Sequence, residues 1–383
     1  MMNGFQTDGL DMRPHESART IGKKTANWTV GKSIRVRAPQ PAAPSDRAAC
    51  CSCGAREASC SDPAMARFLS PRSRGTAALV VSAAAMLAVT GGAPGSIRSW
   101  SHTGATAPRC FGAASRDPLH PCHNRALRLM VRPSPADALL APNAPCFPTE
   151  HTRLLLVCAF GTPITEATAT VALVGDSHAS HWRGALDVMA RAHRWRAVSL
   201  AHTSCPFSDA TPSLPEPARS RCVGWNREAR AWLVRHPEVS TVFASAHASS
   251  AVIPRRGRRA YDEQIAGYIR GWKALPPSVK HVIVIRDVPL SAPGEVDCVQ
   301  RAIAHRRPAG PTCVVAPGRS LHVDRVQVID LSSFMCTHRL CFPVVGGALV
   351  LKDQSHLTAV FSASLGPYLD RATRRLMKAW GSS

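Results

Sequence analysis

The chain has 383 residues, 45% of them apolar, 19% charged and 5% aromatic, with 25 glycines and 31 prolines. That balance excludes a wholly unfolded chain and a many-helix membrane protein, and it leaves room for one large domain or two ordinary ones. The 47 basic and 25 acidic side chains give a net charge of +22, but the excess is spread out without interleaved aromatics, so nucleic acid is not the expected partner; an anionic envelope surface would attract the same charge.

Residues 1–64 show no sustained period of 3.6 or 2 and are rich in Pro, Gly, Ser, Arg and Lys, the composition of an unstructured stretch. Cys50, Cys51, Cys53 and Cys60 lack the second half of a zinc-binding pair, so no metal is expected there. From Met65 the order changes: Arg67, Arg72 and Arg74 precede an apolar run, Thr76 to Gly92, that ends in small residues. This is the layout of a secretory signal, and the run is short for a span, which takes about 20 apolar residues. Residues 65–92 are therefore expected to be a signal peptide or a single membrane anchor, with Met65 the true start and residues 1–64 a disordered or mis-assigned leader. Either form places the remainder outside the cytoplasm.

Cys110, Cys122, Cys146, Cys158, Cys205, Cys222, Cys298, Cys313, Cys336 and Cys341 follow, an even set that suits an oxidising compartment. Proximity suggests Cys205 with Cys222, Cys298 with Cys313 and Cys336 with Cys341, although sequence alone does not prove connectivity. A metal at Cys336-x-His338-x-x-Cys341 would need a second Cys/His pair at finger spacing, which is absent. Residues 93–145 have weak periodicity and read as a linker, tacked to the domain through Cys146 and Cys158; residues 146–380 read as one folded domain.

Within that domain strands and helices alternate. Strands are expected at 171–174, 196–200, 240–244, 281–285 and 325–329, and helices at 179–194, 219–236, 262–275 and 358–380. Such alternation implies an α/β fold with a mostly parallel sheet covered on both faces, whose active groups gather at the carboxyl ends of the strands.

The first of these strands runs into Gly175-Asp176-Ser177-His178. A serine on a sharp strand-to-helix turn presents its Oγ over the sheet edge, with its own N–H near a helix N-terminus as an oxyanion donor, and Gly175 permits the turn. Ser177 or Asp176 could equally be a helix cap. Far along the chain stands Asp353-x-x-His356, in which His356 could serve as the base for Ser177 and Asp353 could orient it. No cofactor motif is found. His178 is expected to pack or cap beside the nucleophile, while His181 and Asp187 are expected on the helix surface.

At these residues the chain resembles the SGNH hydrolases. Val-Ala-Leu-Val-Gly-Asp-Ser-His-Ala-Ser-His-Trp at 171–182 looks like their first block, and Asp353-x-x-His356 like their last. Further features are similar, in order, to the SGNH domain attached to membrane O-acyltransferases of acyltransferase family 3. These are Cys158-Ala-Phe-Gly161, Ser204-Cys205-Pro206, Cys222 with Trp225-Asn226, Asp287-Val-Pro289, Cys298 with Cys313, Asp330 before Cys336 and Cys341, and His356-Leu357-Thr358. The resemblance implies a flavodoxin-like three-layer sandwich, Ser177 as nucleophile, His356 as base and then acid, and Asp353 as its orienting acid. It also implies an exported enzyme, an O-acyltransferase or an esterase, working on cell-envelope glycans through an acyl-Ser177 intermediate. Two departures stand out: no Gly-x-Asn-Asp block is present, and Ala246-His247-Ala248 stands where this subfamily often carries Trp.

A single apolar run stands in place of the many-helix membrane domain usual in that subfamily. The acyl group is thus expected either from a separate membrane donor protein or not at all, as in a free esterase. The alternative is a catalytically weak carbohydrate-binding or accessory module of the same fold. Arg183, Arg255, Arg256, Arg258 and Arg259 could steer an anionic glycan, although a solvated basic surface is the plainer reading.

Overall fold

The computed structural model describes residues 107–144, 146–317 and 328–381. The signal or anchor expected at 65–92, the cysteines at 50–60 and the first residues of the strand expected at 325–329 lie outside them. Among the described residues no helix is long and apolar enough to cross a membrane.

Seven strands form the main sheet: β1 (Phe147–His151), β2 (Leu156–Gly161), β3 (Ala169–Gly175), β4 (Trp195–Ala201), β5 (Val239–Ser245), β6 (His281–Ile285) and β7 (Val328–Ile329). Their spatial order is β1-β2-β4-β3-β5-β6-β7. The five strands from β4 to β7 run parallel, and β1 and β2 add an antiparallel edge. Helices α1 (Pro135–Leu140), α2 (Ser177–Ser180), α3 (Arg183–Ala192), α4 (Ala218–Arg235), α5 (Ala260–Lys273), α6 (Glu295–Ala304), α7 (Ala309–Thr312), α8 (Ala359–Ser364) and α9 (Gly366–Gly381) accompany it, with a short hairpin of β8 (Val344–Val345) and β9 (Ala348–Leu349).

The three layers follow from the period of two in a strand. On β3, Val171 and Leu173 face a core built with Trp182, Leu186 and Met189 of α3 and its approach, and with Phe361, Leu365 and Leu369 of the last helices. Ala172 and Val174 face the opposite core, with Trp225, Ala229, Trp232 and Leu233 of α4. Buried on both faces, β3 reads as an unbroken apolar run.

Chain order reverses at β3. The path from β3 through α3 leads to β4 on one side, and the path from β4 through α4 returns to β5 on the other. The two crossovers diverge there and leave a crevice at the carboxyl end of β3, the place where such sheets bind ligands.

Two long helices expected from periodicity are each broken in two. α2 ends after one turn and α3 begins at Arg183; the helix-dipole contribution expected behind Ser177 is thus that of a single turn. The final helix breaks at Leu365, because Pro367 has no N–H to continue α8 and instead opens α9. The described part of the segment expected as a linker is folded onto the domain. Cys110, Phe111, Ala113 and Leu127 are buried in the α3-side core, the Ala113 N–H donates to Ser364 Oγ at 3.0 Å, and Asp117 pairs with Arg371 at 2.8 Å. Ala113 and Leu127 lie in short 3-10 turns, Gly112–Arg116 and Arg125–Leu127, too short for their spacing to show a period.

Five disulfides connect described cysteines: Cys110–Cys122, Cys146–Cys158, Cys205–Cys222, Cys298–Cys313 and Cys336–Cys341. The three proximal pairs match the expectation, and Cys336 and Cys341 bond each other.

Candidate active site

β3 ends in Gly175, whose φ of +145° suits glycine, and a Cβ there would collide with the Ser245 carbonyl oxygen. This close approach lets the loops after β3 and β5 leave the sheet side by side. Asp176 follows, fully buried, and joins them. Its Oδ1 accepts the His178 N–H at 2.8 Å and its Oδ2 accepts the His247 N–H at 3.0 Å. Burial pushes this carboxyl above the usual range, against the pull of those N–H groups.

Ser177 therefore opens α2 with a fixed backbone. Its Oγ lies 2.9 Å from His356 Nε2. On the far side of the ring, Nδ1 lies 2.8 Å from Asp353 Oδ2. Asp353 is held in turn, since its Oδ1 accepts the N–H groups of Ser355 and His356, both at 2.8 Å. Burial disfavours the Asp353 carboxylate, but the His356 ring and the two N–H groups outweigh it and hold the carboxyl well below the ordinary range. It stays ionised across any working pH.

The loop bearing Asp353 and His356 is fastened at its base. The Lys352 N–H donates to the His356 carbonyl at 2.9 Å, and Leu351 bridges to Leu357. The helix that follows is capped by Thr358, whose side chain accepts the Phe361 N–H, so Asp353 and Ser355 are not its caps. The structure thus brings Ser177, His356 and Asp353 together, with Gly175 beneath.

Two further expectations need correction. His181 is not on the surface: it is fully buried, its Nδ1 accepts the Leu357 N–H at 3.5 Å, and burial pushes its pKa well down. Its ring backs the segment that carries His356. Asp187 is not merely solvated either, because it accepts the Gly161 N–H at 2.8 Å and pairs with Arg191. Asp187 stands on the side of α3 turned towards β2, a rotation that helical spacing alone left open, and His181 lies in the break between α2 and α3.

His178, expected to pack or cap, is buried with its Nδ1 2.6 Å from Asp287 Oδ1. Asp287 also accepts the Ala248 N–H at 2.8 Å. His178, His247 and Asp287 bring one ligating atom each within 4.8 Å of one another, a grouping that could hold a metal ion. Here it is a hydrogen-bonded pair with a third ring packed on it, the His178 and His247 centroids 4.3 Å apart.

A cleft of about 340 Å³ opens above these groups, lined by Ser177, His356, His247, Ser204, Pro206, Ser213, Leu214 and Ser250, among others. Such a volume accommodates a small ligand. Roles for His247 and Asp287 escaped the sequence reading, although both follow the carboxyl ends of strands it placed; proximity of the two loops was the missing signal. Of the arginines considered for steering, Arg255 and Arg258 pair with Glu263, Arg255 also with Asp209, and Arg259 with Asp262.

The family model described as "SGNH domain (fused to AT3 domains)" matches residues 145–371. No curated protein matches. A solved structure of the periplasmic domain of a lipopolysaccharide acetyltransferase from Salmonella ser. Paratyphi A is similar over 55% of this chain and 90% of that one, with 13% identity and a TM-score of 0.42.

Proposed function

The chain belongs to the family of SGNH domains found fused to AT3 domains, a family of hydrolase and acyltransferase type, and from that premise we propose that it is an exported, serine-dependent O-acyltransferase or esterase acting on cell-envelope glycans. The observation that carries the reading is the unbroken relay from Ser177 Oγ through His356 to Asp353, at 2.9 and 2.8 Å.

The chemistry follows from that relay. As Ser177 Oγ bonds to the acyl carbon of an ester, its proton passes to His356 Nε2, and the carbonyl π pair moves onto oxygen. Collapse of the adduct breaks the bond to the leaving alkoxide, which takes the proton from His356 and departs as an alcohol. The acyl-Ser177 ester is then attacked by a glycan hydroxyl or by water, with His356 again taking and returning one proton. Asp353 stays charged throughout, fixing the ring and stabilising its cationic form. A membrane donor protein that delivers the acyl group is part of this proposal, and so is a location outside the cytoplasm, which the five disulfides support.

Fluorophosphonate labelling tests the reading. The wild-type protein is expected to be labelled at Ser177, with label and p-nitrophenyl acetate hydrolysis both lost in Ser177→Ala. An unlabelled but folded wild-type protein would instead indicate a binding module.

A further inference from the structure

Four imidazoles crowd the strand ends beside Ser177. The His178 centroid lies 4.7 Å from that of His356, 5.0 Å from that of His181 and 4.3 Å from that of His247. Three of these rings are held by hydrogen bonds: His356 through both nitrogens, with Ser177 and Asp353, His178 through Nδ1 with Asp287, and His181 through Nδ1 with the Leu357 N–H, its Nε2 being buried without a partner among the described residues. The ring of His247 has no hydrogen-bond partner among the described residues, and it lines the same cleft as Ser177 and His356.

Its position is set by register. β3 and β5 are parallel neighbours with Gly175 opposite Ser245. Ser177 and His247 each lie two residues beyond that pair, so they leave the same sheet edge side by side. Asp176 locks this offset by accepting the N–H groups of His178 and His247. The nucleophile and the free ring are therefore carried by two loops that a single buried carboxylate holds together.

Attack by Ser177 places negative charge on the former carbonyl oxygen, and the chain needs donors for it. The Ser177 N–H, which has no hydrogen-bond partner among the described residues, supplies one. We propose that the His247 imidazole supplies another, donating a hydrogen bond to the oxyanion of the Ser177 adduct; this rests on the acyl-enzyme reading above. No proton is transferred from His247: the Ser177 proton goes to His356, and His247 only shares its N–H with the oxygen that carries the displaced electron pair.

The surroundings keep that N–H in the neutral form suited to this task. Burial lowers the His247 pKa, and the neighbouring rings of His178 and His356 lower it further, while Asp287 and Asp176 oppose them. The lowered pKa also makes this ring a weaker base for the Ser177 proton. A donor aimed at developing charge in a water-poor site typically contributes ~10²–10³ in kcat.

The experiment compares His247→Ala, His247→Asn and wild type, each shown folded by circular dichroism. Two rates are measured, turnover of p-nitrophenyl acetate and the rate of fluorophosphonate labelling of Ser177, in which the phosphoryl oxygen occupies the oxyanion position. His247→Ala is expected to lower kcat and the labelling rate ~10²–10³-fold with KM within a few-fold, and His247→Asn, which restores an N–H, to recover at least about tenfold. A folded His247→Ala protein that labels as fast as wild type, or an Asn variant no better than Ala, overturns the role of His247 while leaving the acyl-enzyme reading intact. Absence of labelling in wild type overturns both.

Discussion

Glu295 shows how one residue's solvation sets a pH response. It lies at the start of α6, only 8% exposed, and burial pushes its carboxyl up to about 7. A folded-state pKa raised above the unfolded value means that the folded protein holds the proton more tightly. Its contribution to stability is then complete below the ordinary carboxylate range, near about 4.3, and is lost as pH rises through about 7. Glu295→Gln removes the buried charge, so it is expected to stabilise at pH 8 by about 1–2 kcal/mol, a few degrees in Tm, and to change little at pH 4. Thermal denaturation of both proteins at the two pH values checks this; an equal shift at both would assign the effect to packing. Sequence gave no sign of this group, because an acidic residue in a first helical turn is ordinarily exposed. Ser177, Asp353 and His356 were legible for the opposite reason: their roles need particular residue types in a particular chain order, and those survive in the string. His247 carries no such mark, since a lone histidine after a strand acquires its meaning only from the neighbouring loop.

Apolar runs made most parallel strands legible but not antiparallel β2, whose apolar stretch Leu156–Gly161 the sequence reading did not place as a strand. The run 281–285 matches β6 residue for residue, whereas β1 escaped notice because all five of its residues are exposed and Pro148 and Glu150 interrupt any alternation. β8 and β9, two residues each, are too short to carry a period. Helix α4 was plain, and its link to the preceding loop yields a test. Cys222 on α4 bonds Cys205, and Asn226 one turn later donates to the Pro206 carbonyl at 3.1 Å and accepts the Ser208 N–H at 3.0 Å. The loop after β4, which carries the cleft residues Ser204 and Pro206, is thus tied to the helix twice. Replacing Cys205 and Cys222 together by Ser is expected to cost about 2–4 kcal/mol, read as a lower denaturation midpoint. Because the Asn226 bonds remain, hydrolysis by the folded variant should fall by less than about tenfold. A larger loss in a protein still fully folded would mean that the disulfide, and not Asn226, sets the loop.

At the level of the whole molecule, the open question is which hydroxyl resolves the acyl-enzyme. Orientation of a bound acceptor can contribute ~7–11 kcal/mol, so a glycan held in the cleft outcompetes water only if the cleft positions it. The pairing of Arg255, Arg258 and Arg259 with nearby carboxylates weakens the case for long-range steering. Accordingly, turnover of an anionic glycan ester and of p-nitrophenyl acetate is expected to respond alike between low and physiological salt. A fall confined to the polymer would restore the arginines as a docking surface, and acyl-glycan as product, in place of free acid, would identify a transferase. The three-layer core and its crevice were readable from alternation alone. Folding of the described part of 107–144 onto the domain was not, since that segment is positioned by a disulfide and scattered contacts instead of by periodic apolar residues.

The buried His178–Asp287 pair has a spectroscopic consequence. Its ring proton is shielded from exchange with water and sits in a 2.6 Å hydrogen bond, conditions that yield a sharp, strongly deshielded proton resonance. Because the His178 ring is tilted against those of His356 and His247, ring currents couple that resonance to whatever happens to its neighbours. Protonation of His356 or acylation of Ser177 should displace the signal without altering the bond that produces it. The molecule thereby contains its own reporter, through which occupancy of the nucleophile can be followed by NMR without a chromogenic substrate.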